Sequence, residues 1–351
     1  MKNKIMLHLI RPGSIGGPNV SIKNISESAL SNKYDFSFLV QENRAKKPYD
    51  FGLIKRMAMQ IDKEKPAIVH ISGLQIAGFY AVKAALKSKT KPKIICTIRG
   101  SSTESSSISK LKKWIIKHFF EIYVLKNADA CYTVCEKPMS IEMVKKYSKN
   151  YVGCIYNLPP TINTLVKDTD RRERLGYSKD DIVFVFAGRL VKEKGLDYLD
   201  EALFHLNNGK IWIIGDGPYR TILEKHHPDL IKNNQLVFFG HLKNPIEIIR
   251  DADIAFLPSH HENLPNFLLE SLALGKPIIA TDVGGNSSIV ANGYNGLLIS
   301  QNSKSLLEAF QFFEKNKSLE EFSKNSKALL NTRFSRDKIL KELDELYNNY
   351  L

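Results

Sequence analysis

Residues 254–285, IAFLPSHHENLPNFLLESLALGKPIIATDVGG, decide the fold. Apolar runs at 254–258 (IAFLP) and 277–281 (PIIAT) enclose a segment of helical length, which Pro265 can open because proline is tolerated in a first helical turn. Both runs are continuous rather than alternating, as expected of strands covered on two faces, and strand, helix, strand in succession implies parallel neighbours. The pattern repeats outward: strands are predicted at 182–188, 210–215, 236–240 and 296–300, and before them at 4–10, 36–40, 67–72, 93–99, 130–135 and 152–156. Each half therefore reads as a doubly wound α/β domain of about six parallel strands, and two such Rossmann-like domains facing each other would leave a cleft between them.

The boundary is expected at Asn157-Leu158-Pro159-Pro160, where two prolines forbid helix. This gives an N-terminal domain over 1–160 and a C-terminal domain over 161–335. In the final segment, 336–351, Ile339, Leu340, Leu343, Leu346, Tyr347 and Tyr350 fall at helical spacing, so it should dock as a helix, back on the N-terminal domain.

The 351 residues suffice for two cores, and 43% hydrophobic against 25% charged residues excludes a chain disordered as a whole. The charge is uneven. Residues 1–163 hold 27 Lys and Arg against 11 Asp and Glu, whereas the remainder holds 24 against 26. A surplus of 16 in one half calls for an anionic partner: a phosphorylated substrate, an acidic membrane surface or nucleic acid. Cys96, Cys131, Cys135 and Cys154 form no CxxC pair or zinc spacing and read as free thiols of a reducing compartment. The start, MKNKIMLHLIRPG, has too short an apolar stretch for a signal peptide, and no run reaches the roughly 20 residues of a spanning helix. A cytoplasmic protein is expected, with any membrane contact peripheral.

Ligands of open α/β sheets bind beyond the carboxyl ends of strands, so the strand exits are the places to look. The strand at 182–188 exits through Gly188-Arg189-Leu190-Val191-Lys192-Glu193-Lys194-Gly195, where Arg189 and Lys194 place two cations beside a helix start, a pairing suited to a diphosphate. A merely solvated pair of cations is the alternative. The next strand leaves through the turn Gly215-Asp216-Gly217-Pro218. In the stretch quoted above, Glu262 falls in the loop and Glu270 one to two turns into the helix, so that two carboxylates could grip sugar hydroxyls, although such spacing is ordinary without context. His70, His118, His260 and His261 read as packed or flanking residues, and no histidine or carboxylate spacing suggests a metal site.

Taken in order, Gly188-Arg189 to Lys194-Gly195, Gly215-Asp216-Gly217-Pro218, Phe239-Gly240, the Glu262 and Glu270 pair, and Asn295-Gly296 resemble the C-terminal domain of family 4 retaining glycosyltransferases, the glycosyl transferases of group 1, over roughly residues 180–300. The resemblance implies the GT-B architecture, with the nucleotide-sugar held by the C-terminal domain and the acceptor by the N-terminal one. It implies that Arg189 and Lys194 hold the donor diphosphate and stabilise the leaving charge in place of a metal, so that no cofactor is needed. Glu270 would accept from the ribose hydroxyls, Glu262 would touch the transferred sugar together with the amides of Asn263 and Leu264, and the loop at Phe239–Leu242 would border the base. Gly16 and Gly17, in Gly13-Ser14-Ile15-Gly16-Gly17-Pro18, resemble the family's glycine-rich loop near the donor phosphate. Neither this loop nor GDGPYR is a GxGxxG, which argues against a dinucleotide oxidoreductase.

The chain departs from the family pattern in three places. Arg99 stands where many relatives carry histidine and would bind a phosphate or the acceptor, or else form a structural salt bridge. Asn263 replaces a common glycine, and Asn286-Ser287-Ser288 replaces a Pro-Glu step. The segment 110–126, KLKKWIIKHFFEIYVLK, has two readings: a helix packed on the sheet through Leu111, Trp114, Ile115, Phe119 and Ile122, or a helix whose Lys110, Lys112, Lys113, Trp114 and Lys117 rest on an anionic bilayer. The expected function is retaining transfer from a nucleoside-diphosphate sugar, UDP foremost, to a surface-glycan acceptor, lipid-linked forms included, in bacterial polysaccharide, O-antigen or capsule biosynthesis. Rival readings are another GT-B enzyme, such as a sugar-nucleotide epimerase or a phosphorylase, and a basic nucleic-acid-binding module, for which no recognition motif is present.

Overall fold

Every apolar run identified in the sequence becomes a strand, because each is short, continuous and bounded by helix-forming or turn residues. The structure, a computed structural model, describes residues 2–12, 17–42, 50–102, 109–136, 138, 140–162, 170–315 and 319–351. The strands are β1 (Asn3–Ile10), β2 (Tyr34–Gln41), β3 (Ile68–Ser72), β4 (Lys93–Ile98), β5 (Ala130–Thr133), β6 (Tyr151–Cys154), β7 (Val183–Ala187), β8 (Lys210–Ile214), β9 (Leu236–Gly240), β10 (Ile254–Leu257), β11 (Ile278–Thr281) and β12 (Gly296–Ile299). They form two six-stranded sheets, ordered β2-β1-β3-β4-β5-β6 and β12-β11-β10-β7-β8-β9. All pairings within them are parallel. The chain divides into one compact unit of residues 1–158 with 336–351, and a second of residues 159–335.

Strand order fixes where a ligand can sit. In the first sheet the chain runs from β1 outward to β2 and then crosses to β3 on the other side; in the second it runs from β7 through β8 to β9 and crosses back to β10. The helices that follow β1 and β3, or β7 and β10, therefore cover opposite faces and part at the carboxyl ends of those strands, which leaves a crevice.

In the first unit side-chain alternation splits the core between two sheet faces. Ile5 and Leu7 of β1 join one buried cluster and Met6 joins the other. The Met6 face is covered by the helices Phe51–Glu64 and Ile76–Lys87. The opposite face is closed by Ile22 and Ile25 of the helix Gly17–Ser26 and by Ile339, Leu343, Leu346 and Tyr347 of the helix Arg336–Asn348, so the C-terminal segment is part of this unit's core. Its seat is polar as well as apolar: Asp344 accepts from Lys33 Nζ and Tyr34 Oη at 2.7 and 2.6 Å.

The Tyr347 hydroxyl lies 2.7 Å from His70 Nδ1, and His70 Nε2 lies 2.6 Å from Thr97 Oγ1 and 3.1 Å from the Tyr132 hydroxyl. His70 is thus a satisfied core residue in mid-sheet. Burial, assisted by the Arg99 charge, holds its pKa down to about 3, and burial holds that of His8 to about 4. The four cysteines are free, with Cys96, Cys131 and Cys135 buried.

Two outcomes follow for stability. Tyr347→Phe leaves a buried imidazole nitrogen without its partner and should lower the unfolding free energy by about 1–3 kcal/mol, read as a lower urea midpoint at unchanged slope. Both imidazoles take up a proton more readily when unfolded, where they have the ordinary value near 6.5, so stability should fall as the pH drops from about 6.5 toward 4 and 3. Urea titrations at pH 7 and pH 5 should show the loss, on the order of 2 kcal/mol for each ring.

Candidate functional site

In the second unit the exits of β7 and β10 are pressed together by backbone. Gly195 follows the short 3-10 turn Lys192–Lys194 and precedes the helix Leu196–Leu203 in a left-handed conformation, φ +71°. A Cβ there would stand 1.8 Å from the Pro258 carbonyl oxygen, so only glycine permits the approach. The His260 amide donates to the Glu193 carbonyl at 3.0 Å and joins the same two loops.

That contact sets Lys194 Nζ 2.5 Å from Glu262 Oε1, which also accepts from Ser259 Oγ at 2.8 Å. Glu262 is the more enclosed of the pair, with 9% of its side chain exposed against 24% for Lys194. The exit of β11 completes the surround: Gly284, at φ +49°, approaches so closely that a Cβ would meet the Glu262 carbonyl oxygen at 1.7 Å, and the Gly285 amide donates to that oxygen at 3.3 Å. The His260 ring lies 3.0 Å from Asp197 Oδ1 and 3.1 Å from the Tyr198 hydroxyl, the role of a flanking residue.

Pro265 caps the helix Asn266–Ala273, which carries Glu270. Glu270 is half-buried, no hydrogen bond reaches its carboxyl group among the described residues, and burial raises its pKa to about 7. A half-buried carboxyl of this kind is poised to accept hydroxyl donors that replace its lost hydration. Asn263 is half-buried and Leu264 buried between Glu262 and this helix start.

Arg189 projects into solvent from the exit of β7 and has no ion-pair partner among the described residues. Its backbone is fixed on both sides: Gly188 N–H donates to the Ile214 carbonyl and Leu190 N–H to the Asp216 carbonyl, each at 2.9 Å. The glycines of Gly215-Asp216-Gly217-Pro218 serve that contact, because a Cβ on Gly215 would lie 1.8 Å from the Gly188 oxygen. Leu242, half-buried, follows Gly240, which is in left-handed backbone at φ +66°.

Asn286, at the position of the altered Pro-Glu step, is buried. It donates through Nδ2 to the Thr281 carbonyl at 3.0 Å, and its Oδ1 is enclosed without a partner among the described residues.

In the first unit Gly17 opens the helix Gly17–Ser26, while Gly16 lies outside the described residues. Arg99 has no carboxylate partner among the described residues. It donates through Nε to Ser72 Oγ at 2.9 Å and through Nη1 to Asn157 Oδ1 at 2.6 Å, so the salt bridge considered from sequence is replaced by two neutral acceptors.

The segment 110–126 divides its two readings. Its second half packs, with Ile122, Val124 and Leu125 buried and the Glu121 carboxylate accepting from Ser101 Oγ and Ser102 N at 2.7 and 2.6 Å. Its first half does not. Leu111, Trp114, Ile115 and Phe119, expected on the packed face, are 69, 52, 39 and 60% exposed, interleaved with Lys110, Lys112, Lys113 and Lys117. A π-helical stretch, Ile116–Glu121, separates the two halves, and the extra residue in its turn rotates one face away from the other. Of the serine-rich stretch Ser101–Ser109, residues 103–108 lie outside the described ones.

Sequence reasoning missed Ser259, Gly284 and the Ser72 and Asn157 pair around Arg99. None has a motif; each acts through a contact between segments distant in the chain. Among the described residues, no group of three or more His, Cys, Asp or Glu side chains is placed to hold a metal.

Known proteins resemble this chain in sequence and fold. Residues 167–329 match the family model for glycosyl transferases group 1. The capsular polysaccharide biosynthesis glycosyltransferase CapM of Staphylococcus aureus is 26% identical over 315 residues, covering 86% of this chain and 82% of its own. The UDP-Gal:alpha-D-GlcNAc-diphosphoundecaprenol alpha-1,3-galactosyltransferase of Escherichia coli is 26% identical over 324 residues, covering 86% and 81%. Among solved structures, HepE of Anabaena in complex with UDP and glucose superposes with a TM-score of 0.78 at 15% identity, over 99% of this chain and 100% of that one. With two Rossmann-like units and these relatives, the chain is a glycosyltransferase with the GT-B fold, and its residues 167–329 are similar to the group 1 family.

Proposed function

We propose that the second unit binds a nucleoside-diphosphate sugar, foremost a UDP-sugar, and that the enzyme transfers the sugar with retention, without a metal, to a glycan acceptor of a bacterial polysaccharide pathway, lipid-linked acceptors included. The carrying observation is the Lys194 to Glu262 ion pair at the exits of β7 and β10, beside the half-buried Glu270 on the following helix. The relatives support the substrate classes by name: one uses UDP-Gal on a diphosphoundecaprenol acceptor, another builds capsular polysaccharide, and the structural neighbour binds UDP and glucose.

In this reading the exposed Arg189 and Lys194 receive the diphosphate. An ammonium has three donors, so Lys194 can keep Glu262 in place with one and meet phosphate oxygens with the others. As the bond from the anomeric carbon to the diphosphate breaks, negative charge gathers on the leaving oxygen, and two fixed cations lower the barrier by being in position beforehand. Glu262, held by Lys194 and Ser259, orients the sugar hydroxyls together with the Asn263 and Leu264 amides. Attack from the face that the diphosphate leaves gives retention and requires no nucleophile from the protein. Glu270 accepts from the ribose.

We also propose that the face made by Leu111, Trp114, Ile115 and Phe119, with Lys110, Lys112, Lys113 and Lys117 around it, rests on an anionic bilayer, the lysines meeting lipid phosphates and the apolar side chains entering the interface. Among the described residues no helix is long and apolar enough to cross a membrane. The charge supports a peripheral contact, since the first unit holds 30 basic and 15 acidic residues against 21 and 22 in the second.

Three experiments test these readings. Glu270 must be ionised to accept two hydroxyls, and its pKa without ligand is raised to about 7, so UDP affinity should climb from pH 5.5 to pH 8 and level off above 7. Glu270→Ala should weaken UDP binding by about 30- to 100-fold and Glu270→Gln should flatten the pH dependence, both by calorimetry; unchanged affinity would remove the ribose role. Gly195→Ala should abolish transfer and destabilise the second unit, because the Pro258 carbonyl must move by more than an ångström; a wild-type melting curve with full turnover would contradict the proposed link between the loops. Replacing Lys110, Lys112, Lys113 and Lys117 by Gln should weaken binding to phosphatidylserine vesicles about a thousandfold at low salt, at roughly 1 kcal/mol per lysine, and equal sedimentation of both proteins would exclude the membrane face.

A further inference from the structure

The first unit has a pocket of about 200 Å³ at the carboxyl ends of β1, β3 and β4, the crevice where its strand order reverses. Ile10, Pro18 and Leu74 supply apolar walls, and Ser72, Gly78 and Arg99 lie among them. Its volume falls below the roughly 300–1,000 Å³ of sites that enclose a whole drug-sized ligand, so it suits one compact group and not an entire nucleotide-sugar.

Among the described residues, Arg99 is the only charged side chain lining the pocket. Its Nε and Nη1 are occupied by Ser72 and Asn157, both neutral, and no carboxylate pairs with it among the described residues. Of the five N–H donors of a guanidinium, these two bonds leave three, held in a fixed orientation. A partly buried, oriented cation without a counter-charge is costly for a fold to keep unless a ligand supplies the missing anion.

A second, separate feature points the same way. The twelve-residue helix Ile76–Lys87 starts at the pocket wall, where Leu74, Gln75, Ala77 and Gly78 all line it, and Gln75 places no side-chain cap on its amides. The turn from β3 into this helix is drawn tight by Gly73 at φ +88° and by Gly78, whose Cβ would lie 1.9 Å from the Gly73 oxygen. Uncapped amides and the helix dipole favour negative charge at this end.

We propose that this pocket is a subsite for a phosphoryl group, gripped by the Arg99 guanidinium and the start of the helix Ile76–Lys87. As the subsite of a transferase it would take a phosphate of the acceptor, and in this it rests on the function proposed above; the anion site itself stands on the first unit alone. The apolar walls suit a phosphate carried on a hydrocarbon chain, whereas a free phosphate or diphosphate would use the same donors.

The test uses the full chain with UDP at saturation, so that the second unit's diphosphate site is filled, and titrates inorganic pyrophosphate and geranyl diphosphate by calorimetry. Arg99→Gln should weaken both by about ten- to a hundredfold while UDP affinity stays the same. Arg99→Lys, which keeps the charge without the fork, should recover part of the loss and guards against a variant that fails to fold. Tighter binding of geranyl diphosphate would assign the pocket to a lipid-linked headgroup, and equal binding to a free phosphate. If Arg99→Gln binds pyrophosphate as well as the wild type, or if the wild type binds neither anion at millimolar concentration, the proposal is overturned. Arg99-dependent anion binding in a protein that ignores UDP would instead count against the donor reading and leave the pocket standing.

Discussion

The arrangement at the second unit's strand exits depends on one steric constraint, the approach of Gly195 to the Pro258 carbonyl. It brings the loop after β7 onto the loop after β10, and Lys194 reaches Glu262 only because its neighbour in the chain has no Cβ. The other glycines near the site repeat the device. Gly215 lets the exit of β8 lie against Gly188 and so fixes the backbone beneath Arg189, and Gly284 lets the exit of β11 lie against Glu262. Four strand exits are thus locked together by contacts that exclude side chains, and the polar groups they carry inherit fixed positions. A site that must meet developing charge without reorganising benefits from such rigidity more than from any single strong bond.

The first unit is organised by a different interaction. The helix Arg336–Asn348, last in the chain, inserts Tyr347 against His70 of β3, and Lys33 and Tyr34 grip its Asp344 from outside. The first and last segments of the sequence are therefore tied into one core, with residues 159–335 forming a second unit between them. His70 gains three hydroxyl neighbours and loses its charge, an exchange that a buried imidazole can make because its neutral form both donates and accepts.

The fold was legible because parallel strands leave continuous apolar runs, and runs such as 254–258 and 277–281 have no other economical reading. Arg189, Lys194, Glu262 and Glu270 were legible as candidates because they stand at strand exits in a fixed order. What could not be read was which groups meet. Nothing at Ser259 announces a bond to Glu262, and nothing at Asn157 announces Arg99, since each contact joins segments brought together by tertiary packing. The segment 110–126 shows the limit of periodicity most clearly. Leu111, Ile115 and Phe119 follow helical spacing and would be assigned to the core, yet the π-turn Ile116–Glu121 shifts the face, so that Ile116, Glu121, Ile122, Val124 and Leu125 are buried in their place.

The two crevices can be compared through the charges they leave unmatched. At the second unit's strand exits Glu262 already has Lys194, and the unmatched groups among the described residues there are an exposed cation, Arg189, and a half-buried carboxyl, Glu270. That combination fits a ligand with an anionic part and a hydroxyl-bearing part. In the first unit's pocket the unmatched group among the described residues is a cation alone, Arg99, among apolar walls. That combination fits an anion attached to something greasy. The overall basic surplus does not distinguish these cases, because most of the lysines and arginines behind it lie on the surface, where solvent screens them. A single guanidinium held by Ser72 and Asn157 is more discriminating, for its orientation is fixed before any ligand arrives and no carboxylate among the described residues pairs with its charge.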